Sequence, residues 1–319
     1  MQMRFSTYRL LACMAVVVLA GLPGVAAADE WDSCVKLSDD LAVAGCSRAI
    51  DSREYTGRSL ARVYARRGGA YAAKGDVNRA VADYNESMRI DPTYPAAYLN
   101  RGNTWFHRGE FDRAIADYNQ AIKLDPKYGV AYVNRGSALG SKGDFDRAIA
   151  DFDQAIQLDP KDAEAYYSRG RAWGGKGDLD RAIADFDQAI QLDPKDAEAY
   201  YNRGRAWSAK GDLDRAIAEY NQAIQLDPKY ARAYVNRGSA WGNRGDLDRA
   251  IADYSQAIRL DPKEAKAYYN RGIAWEMKRN LQAALADFKM YSQLAPSDRD
   301  GLTAVKRVSK ELSKMTGRR

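Results

Sequence analysis

The residue types from which catalytic sites are usually built are scarce in this sequence. His107 is the only histidine among 319 residues, and no cysteine stands near it in sequence. A metal site needs several ligands and acid–base catalysis needs a positioned partner, so we expect His107 to be a solvent-facing helix residue. Carboxylate pairs such as Asp151 and Asp153 recur along the chain in similar copies. We therefore expect no enzyme activity, no metal site and no cofactor.

Residues 170–177, with the sequence GRAWGGKG, superficially resemble a phosphate-binding loop. Such a loop follows a β-strand, and a Ser or Thr after its lysine reaches magnesium. Here Gly177 follows Lys176, and no strand pattern precedes the segment. The stretch is instead expected to contain a turn between two helices.

Residues 1–28 have the pattern of a secretory signal peptide. Arg4 and Arg9 precede an almost wholly apolar run from Leu10 to Leu22, and three alanines then supply small residues for cleavage. Cys13 precedes most of the apolar run instead of following it, so lipidation there is not expected. The mature protein is predicted to be periplasmic or secreted, with no membrane span.

Export would place the two remaining cysteines, Cys34 and Cys46, in an oxidising compartment. They are a single pair that brackets a short segment, which predicts a structural disulfide. A redox-active or metal-binding pair is the alternative. Closing a loop of this size stabilises a fold by about 3 kcal/mol in the chain-entropy model.

The charge balance gives little reason to expect a nucleic-acid partner. The chain has 49 basic and 43 acidic residues, and the two signs are mixed along it. Proteins that bind nucleic acid more often show a basic stripe or tail. The hydrophobic share of 46% is ample for a folded core.

Internal repetition determines the architecture. One glycine recurs at intervals of 34 residues from Gly68 to Gly272, and one proline recurs at the same interval from Pro92 to Pro296. A period of this length is typical of helix-turn-helix repeats, which bury their apolar faces by stacking on their neighbours. Seven repeats follow, numbered 1 to 7 here: 61–94, 95–128, 129–162, 163–196, 197–230, 231–264 and 265–298.

These repeats resemble the tetratricopeptide repeat family position by position. In repeat 5 the characteristic aromatic, glycine, alanine and proline positions are Tyr200, Gly204, Trp207, Ala216, Tyr220, Ala223 and Pro228. The resemblance implies an all-α fold, an α-solenoid of helix-turn-helix units forming a right-handed superhelix. It also implies a protein-binding scaffold similar to exported bacterial members of the family.

The local chemistry of repeat 5 fits two helices, A and B. Gly204 and Ala216 are small, so the helices can approach closely. Gly211 can adopt the left-handed conformation that ends helix A, and Asp212 can cap helix B. Pro228 cannot continue helix B and forces the turn into the next repeat.

One departure from the family pattern recurs in every repeat. The family usually places leucine before the helix A glycine, but this chain has arginine there, and an acid follows sixteen residues later. We predict that each arginine pairs with the acid on its own B helix, half-buried between the helices. Solvated, unpaired arginine is the alternative. The predicted pairs are Arg67–Asp83, Arg101–Asp117, Arg135–Asp151, Arg169–Asp185, Arg203–Glu219, Arg237–Asp253 and Arg271–Asp287.

The two ends are expected to cap the array. Residues 29–60 resemble a divergent, disulfide-bearing half-repeat in which Cys46 takes the place of a core aromatic residue. Residues 299–316 predict a capping helix, and residues 317–319 a tail. The apolar stripe of that helix comprises Val305, Val308, Leu312 and Met315.

The family resemblance also places the binding site. In the family the A helices line the concave side, and their exposed positions contact peptides. An asparagine amide both donates and accepts hydrogen bonds, so a ladder of them suits an extended peptide backbone. The alternative is that asparagine here reflects repeat composition only. The candidate residues are Leu99, Asn100, Val133, Asn134, Tyr167, Tyr201, Asn202, Val235, Asn236, Tyr269 and Asn270.

The sequence therefore predicts a non-enzymatic scaffold that binds peptide segments of envelope or secreted proteins in the concave groove. A self-associating structural protein is the first alternative, and binding of envelope carbohydrate is the second. The aromatic residues speak against carbohydrate, because most tryptophans occupy one position that is structural in the family. These are Trp105, Trp173, Trp207, Trp241 and Trp275.

Overall fold

The computed structural model describes Cys34 and residues 39–316. The predicted signal peptide, residues 1–28, and the tail, residues 317–319, lie outside the described residues. Within the described part, sixteen α-helices are connected by short turns, and no β-strand occurs there. None of the helices described is both long enough and apolar enough to cross a membrane.

The helices form an array of antiparallel pairs between two single helices. The first is α1 (Asp39–Asp51) and the last is α16 (Arg299–Thr316). The A helices are α2 (Gly57–Ala73), α4 (Pro95–His107), α6 (Gly129–Ser141), α8 (Ala163–Lys176), α10 (Ala197–Ala209), α12 (Ala231–Asn243) and α14 (Ala265–Met277). The B helices are α3 (Val77–Ile90), α5 (Phe111–Leu124), α7 (Phe145–Leu158), α9 (Leu179–Leu192), α11 (Leu213–Leu226), α13 (Leu247–Leu260) and α15 (Leu281–Leu294). The predicted all-α fold of repeated helix pairs is confirmed.

The chain divides into two compact units, Met1–Asn100 and Arg101–Arg319. In the first, Cys34, α1, α2 and α3 surround small clusters of buried side chains. In the second, each B helix supplies a fully buried alanine and aromatic residue, as Ala216 and Tyr220 do in α11. The core is thus a series of similar clusters, and its stability comes from neighbouring helices.

Close helix pairing depends on the repeated glycine. A Cβ atom on Gly204 would lie 2.8 Å from a ring carbon of Tyr220, so no other residue fits there without displacement. Gly211 has a φ of +84°, which favours glycine, and it ends α10. The Asp212 carboxylate then accepts a hydrogen bond from the backbone N–H of Arg215 and caps α11.

The predicted arginine–acid pairs form in all seven repeats. Where the acid is aspartate, the arginine Nε and Nη2 donate to its two oxygens at 2.6–2.8 Å. Each of these aspartates is only 6% exposed, so the guanidinium supplies the partner that a buried carboxylate needs. Nη1 often reaches the preceding B helix as well, as from Arg135 to Asn119 at 2.6 Å.

Repeat 5 has glutamate in place of this aspartate and makes a poorer pair. Glu219 accepts from Nη2 of Arg203 at 2.7 Å. Among the described side chains, Arg203 Nε is the one buried polar atom without a hydrogen-bond partner. The longer side chain of Glu219 therefore gives up half of the fork-shaped contact that aspartate makes in the other six repeats.

At the N-terminal end, α1 takes the place of a B helix. Nη1 of Arg67 donates to Ser47 at 3.1 Å, the contact that later arginines make with the B helix of the preceding repeat. Cys34 and Cys46 are joined by a disulfide and are both fully buried, in one cluster with Ala49 and Val63. The disulfide prediction is confirmed, and the cystine fills the space of a core aromatic residue.

At the C-terminal end, α16 packs on α15 through Ala304 and Val308, which are fully buried. The sequence prediction is wrong about Met315, which is 60% exposed, because that end of α16 extends past the helix it packs on. Tyr291 and Gly301 form a matched pair at this junction. A Cβ on Gly301 would lie 2.6 Å from a ring carbon of Tyr291, whereas earlier junctions pack alanine on alanine.

Candidate functional site

The structure corrects the expected exposure of the apolar and aromatic candidates. Leu99, Val133, Tyr167, Tyr201 and Val235 are 6–7% exposed and belong to the core. Tyr269 occupies the same position in repeat 7, and it is the one candidate at this position that is half-buried. The cause is packing inside the repeat and onto the next one: the Tyr201 ring lies 6.0 Å from Tyr220 and 4.8 Å from Tyr230.

The asparagines of the predicted ladder bridge successive A helices. The side-chain amide of Asn202 donates to the Tyr167 hydroxyl at 3.1 Å, and that of Asn236 donates to the Tyr201 hydroxyl at 3.0 Å. In repeat 3, Asn134 donates to Asn103 at 2.8 Å in the same way. Each asparagine thus spends one N–H on the preceding repeat. The second N–H of Asn202 donates to the backbone carbonyl of Glu198 at 2.9 Å, and its side-chain oxygen accepts from Arg205 at 3.3 Å. An amide oxygen has two lone pairs, so it can accept a further hydrogen bond.

The pattern continues in repeat 7 and is interrupted in repeat 4. Asn270 donates to Ser239 at 3.4 Å. Repeat 4 has Ser168 at this position, and its hydroxyl donates to Glu164 of the same helix at 3.1 Å. Asn100 has polar contacts of its own in the first compact unit. The ladder is therefore a set of contacts between repeats as well as a row of side chains on a surface.

Further polar residues flank these asparagines, and sequence reasoning did not single them out. Together they form one surface of the second compact unit, which we call the A-helix face. Its residues recur at 34-residue intervals on the A helices, and all of them are half-buried or exposed except Ser168, which is buried. The A-helix face comprises Glu164, Ser168, Arg171, Glu198, Asn202, Arg205, Arg232, Asn236, Ser239, Lys266 and Asn270.

Two arginines on the A-helix face, Arg171 and Arg205, stack on tyrosine rings and form no ion pair within the described part of the chain. The guanidinium of Arg171 lies over the Tyr167 ring at 5.7 Å, and that of Arg205 lies over the Tyr201 ring at 6.0 Å. Both side chains are exposed, and neither forms an ion pair with a described carboxylate. The tyrosine rings below them limit their motion, which holds two cationic groups on adjacent repeats towards solvent.

The acids of the A-helix face are partly engaged within the protein. Burial raises the pKa of Glu164 above its ordinary value, with only partial compensation from the hydrogen bond of Ser168. Glu198 accepts from the Tyr167 hydroxyl at 3.0 Å and lies 3.7 Å from Arg232. The A-helix face has four basic side chains and two acidic ones, so its net charge is positive.

A cleft of about 390 Å³ opens beside Glu198 and Arg232, at the turns between repeats. Tyr230 and Lys229 line it together with acidic residues of the neighbouring turns. It is open to solvent and large enough for a side chain of a ligand. No signal in the repeat pattern points to it, because its walls come from two successive repeats.

The tryptophans of the repeats are half-buried, and in repeats 2, 4, 5 and 6 an arginine of the B helix stacks on the indole ring. Arg181 lies 3.5 Å from the centre of the Trp173 ring, and Arg249 lies 3.8 Å from that of Trp241. Such cation–π stacking occupies the ring face that a sugar would need. His107 is exposed at the end of α4, as expected. Within the part of the chain that the structure describes, no group of three or more His, Cys, Asp or Glu side chains could hold a metal ion.

Comparison with family models shows what kind of array this is. Models described as tetratricopeptide repeat match residues 95–128, 117–150 and 174–231, and a related model of the same repeat matches residues 68–106, 136–173 and 243–278. The chain belongs to the tetratricopeptide repeat family. No curated protein sequence matches the chain. Arrays of these repeats are protein-interaction scaffolds, and this chain has their architecture.

Solved structures show the same fold. A tetratricopeptide repeat protein from Parabacteroides merdae ATCC 43184 is 21% identical, with a TM-score of 0.61, covering 78% of this chain and 98% of that one. The type IV pilus biogenesis factor PilW is 19% identical, with a TM-score of 0.62, covering 65% and 96%. YrrB, described as a tetratricopeptide repeat protein with an unusual peptide-binding site, is 26% identical, with a TM-score of 0.49, covering 59% and 97%.

Proposed function

We propose that the A-helix face binds extended, acidic peptide segments of other envelope or secreted proteins. The observation that carries this proposal is the unpaired state of Arg171 and Arg205. The arginine before the helix A glycine is neutralised in every repeat, yet these two cations have no carboxylate partner among the described residues. Both stack on tyrosine rings, and Arg205 also donates to the Asn202 side chain, but neither contact neutralises their charge, which a carboxylate of a ligand could do.

The asparagines support a mode of binding that reads the peptide backbone. Both N–H groups of Asn202 are used within the protein, but an amide oxygen has two lone pairs. The side-chain oxygens of Asn202 and Asn236 can therefore still accept hydrogen bonds from backbone N–H groups of a ligand. The arginines would then meet its carboxylates, with the fork geometry that favours bidentate contact. The same contacts recur in successive repeats, which suits an extended or multivalent ligand.

Residues 144–177 and 178–211 differ at only four positions, so they include two nearly identical copies of the A helix, and this also favours an extended ligand. Both repeats present glutamate, arginine and a buried tyrosine at the same positions of the A helix. A compact small molecule would need a group of residues found in one repeat only. A periplasmic or secreted location fits the disulfide between Cys34 and Cys46, since such bonds persist in oxidising compartments.

Peptide binding can be tested with fluorescein-labelled peptides of the sequences (Glu-Ala-Gly)4, (Gln-Ala-Gly)4 and (Lys-Ala-Gly)4. We expect fluorescence anisotropy to show binding of the glutamate peptide alone, and at least tenfold weaker binding after Arg171→Gln with Arg205→Gln. The matched control, Lys195→Gln with Lys263→Gln, removes the same charge from exposed turns and should bind as the parent does. Equal binding by both double variants, or equal affinity for all three peptides, would reject the proposal.

The natural ligand can then be sought by affinity capture from a periplasmic extract. Proteins that the parent and the Lys195/Lys263 control retain, but the Arg171/Arg205 variant loses, are the expected partners, and mass spectrometry identifies them. Alanine replacements of Asn202 and Asn236 are a poorer test. They remove contacts between repeats as well as groups on the surface.

A further inference from the structure

Positive charge is concentrated at the C-terminal end of the chain. Residues 299–319 contain seven basic and two acidic side chains, whereas residues 29–298 contain 40 basic and 41 acidic ones. The expectation of evenly mixed charge therefore holds for the repeats and fails for the segment that follows them. Whatever the repeats bind, the net charge of the protein from Asp29 onward resides in and beside α16.

The basic residues of α16 fall into two groups with different roles. Arg307 pairs with Glu276 of α14, and Glu311 accepts from Arg279, so these charges hold the helix on the array. Lys306, Lys310 and Lys314 are exposed, and no described carboxylate pairs with them. Their four-residue spacing places them along one side of the helix.

Lysines at the ends of A helices in the second compact unit form ion pairs, unlike the three lysines of α16. At the end of the A helices, each lysine contacts an aspartate on the B helix of the preceding repeat. These contacts are Lys142–Asp112, Lys176–Asp146, Lys210–Asp180 and Lys278–Asp248. Lys306, Lys310 and Lys314 form no such contact with a described carboxylate, and all three are exposed to solvent.

The exposed side of α16 also carries an apolar residue. Leu302 is 51% exposed and lies one turn before Lys306. Arg299 is exposed on the same side, one turn earlier still. This side is the outer surface of a single helix, with no neighbouring helix to form a groove. A flat anionic surface can meet all of these cations at once, whereas an extended acidic peptide would find no groove to hold it.

We propose that this side of α16 docks the protein on the anionic headgroups of a phospholipid membrane. Lys306, Lys310 and Lys314 would supply the electrostatic attraction, and Leu302 would reach the boundary of the acyl chains. The helix would lie in the plane of the surface, since its opposite side is buried against α15. The repeats would then be held beside the membrane with the A-helix face free for a partner protein.

The experiment is sedimentation of the protein from Asp29 onward with lipid vesicles. Vesicles of phosphatidylglycerol and phosphatidylcholine should bind it, pure phosphatidylcholine vesicles should not, and 0.5 M salt should release it. Near an anionic surface each lysine contributes about a fivefold change in partition, so Lys306→Gln with Lys310→Gln and Lys314→Gln should weaken binding on the order of 100-fold.

The matched control replaces Lys161, Lys195 and Lys263 by Gln, which removes the same net charge from exposed turns of the repeats. It should bind the anionic vesicles within about twofold of the parent, since these lysines are spread over separate turns. Equal loss in the two triple variants, or equal binding to neutral vesicles, would overturn the proposal. Binding to polyglutamate without binding to anionic vesicles would also overturn it, and would assign α16 to an acidic protein partner. Circular dichroism of each variant excludes loss of the helix as the cause.

Discussion

Shortening one side chain should stabilise this protein. Glu219 leaves Nε of Arg203 buried without a partner, whereas aspartate satisfies the same atom in the other six repeats. A buried, unsatisfied donor costs about 1–3 kcal/mol. We therefore expect Glu219→Asp to stabilise the fold by about 1–2 kcal/mol, after allowance for some relaxation around the new side chain.

The stabilisation should be confined to the helices near Glu219, because individual repeats of such an array can unfold locally. Hydrogen exchange of amides in α10 and α11 should slow by about tenfold for each 1.4 kcal/mol gained, while amides in α3 should not change. The Tm should rise by a few degrees, given about 2–4 °C per kcal/mol for a domain of similar size. The matched control is Asp185→Glu in repeat 4, which should impose the poorer pair and lower the stability of α8 and α9 by a similar amount.

The pH dependence supplies a second check on the same pair. Burial raises the pKa of Glu219 above its ordinary value, with partial compensation by Arg203. The Glu219 carboxylate is therefore protonated more readily in the folded protein than in the unfolded chain. Above the raised pKa, where the carboxylate is charged in both states, Glu219 destabilises the fold by its full amount. This destabilisation disappears as the pH falls towards the unfolded value of about 4.3. The gain from Glu219→Asp should then be largest at neutral pH. A gain that is absent at pH 7, or accompanied by stabilisation in Asp185→Glu, would refute the reasoning.

Three further predictions concern the ends of the array. Arg279 has a φ of +60° where the other A helices end on glycine, so Arg279→Gly should raise the Tm. Relief of the backbone strain should gain about 1 kcal/mol, which exceeds the loss of the exposed ion pair of Arg279. A lower Tm would contradict this. Gly301→Ala should destabilise the last junction by about 1–3 kcal/mol in urea unfolding, because its Cβ would lie 2.6 Å from both Tyr291 and the Ser292 hydroxyl. The cost should be smaller in Tyr291→Ala, and equal costs in both backgrounds would exclude the Tyr291 ring as the main cause. Reduction of Cys34–Cys46 should cost α1 about 3 kcal/mol, seen as faster hydrogen exchange there and unchanged exchange in α13.

The sequence by itself determined the elements of this protein. The 34-residue spacing of glycine and proline predicted the helix pairs, and single residues such as Gly211 and Asp212 set their ends. The recurrence of arginine and acid at a separation of sixteen predicted all seven ion pairs, because that spacing joins the same positions of the A and B helices in every repeat. The two cysteines outside the predicted signal peptide predicted the disulfide.

Only the tertiary structure decided which side of each A helix is covered. Tyr167 and Tyr201 share a helix face with asparagines, yet they are buried, because the angle between neighbouring helices brings the aromatic rings of the B helix and of the next turn onto them. The asparagine bridges and the unpaired Arg171 and Arg205 arise from the same packing. Periodicity shows which residues lie on one side of a helix, but contact between repeats determines which of them remain available to a ligand.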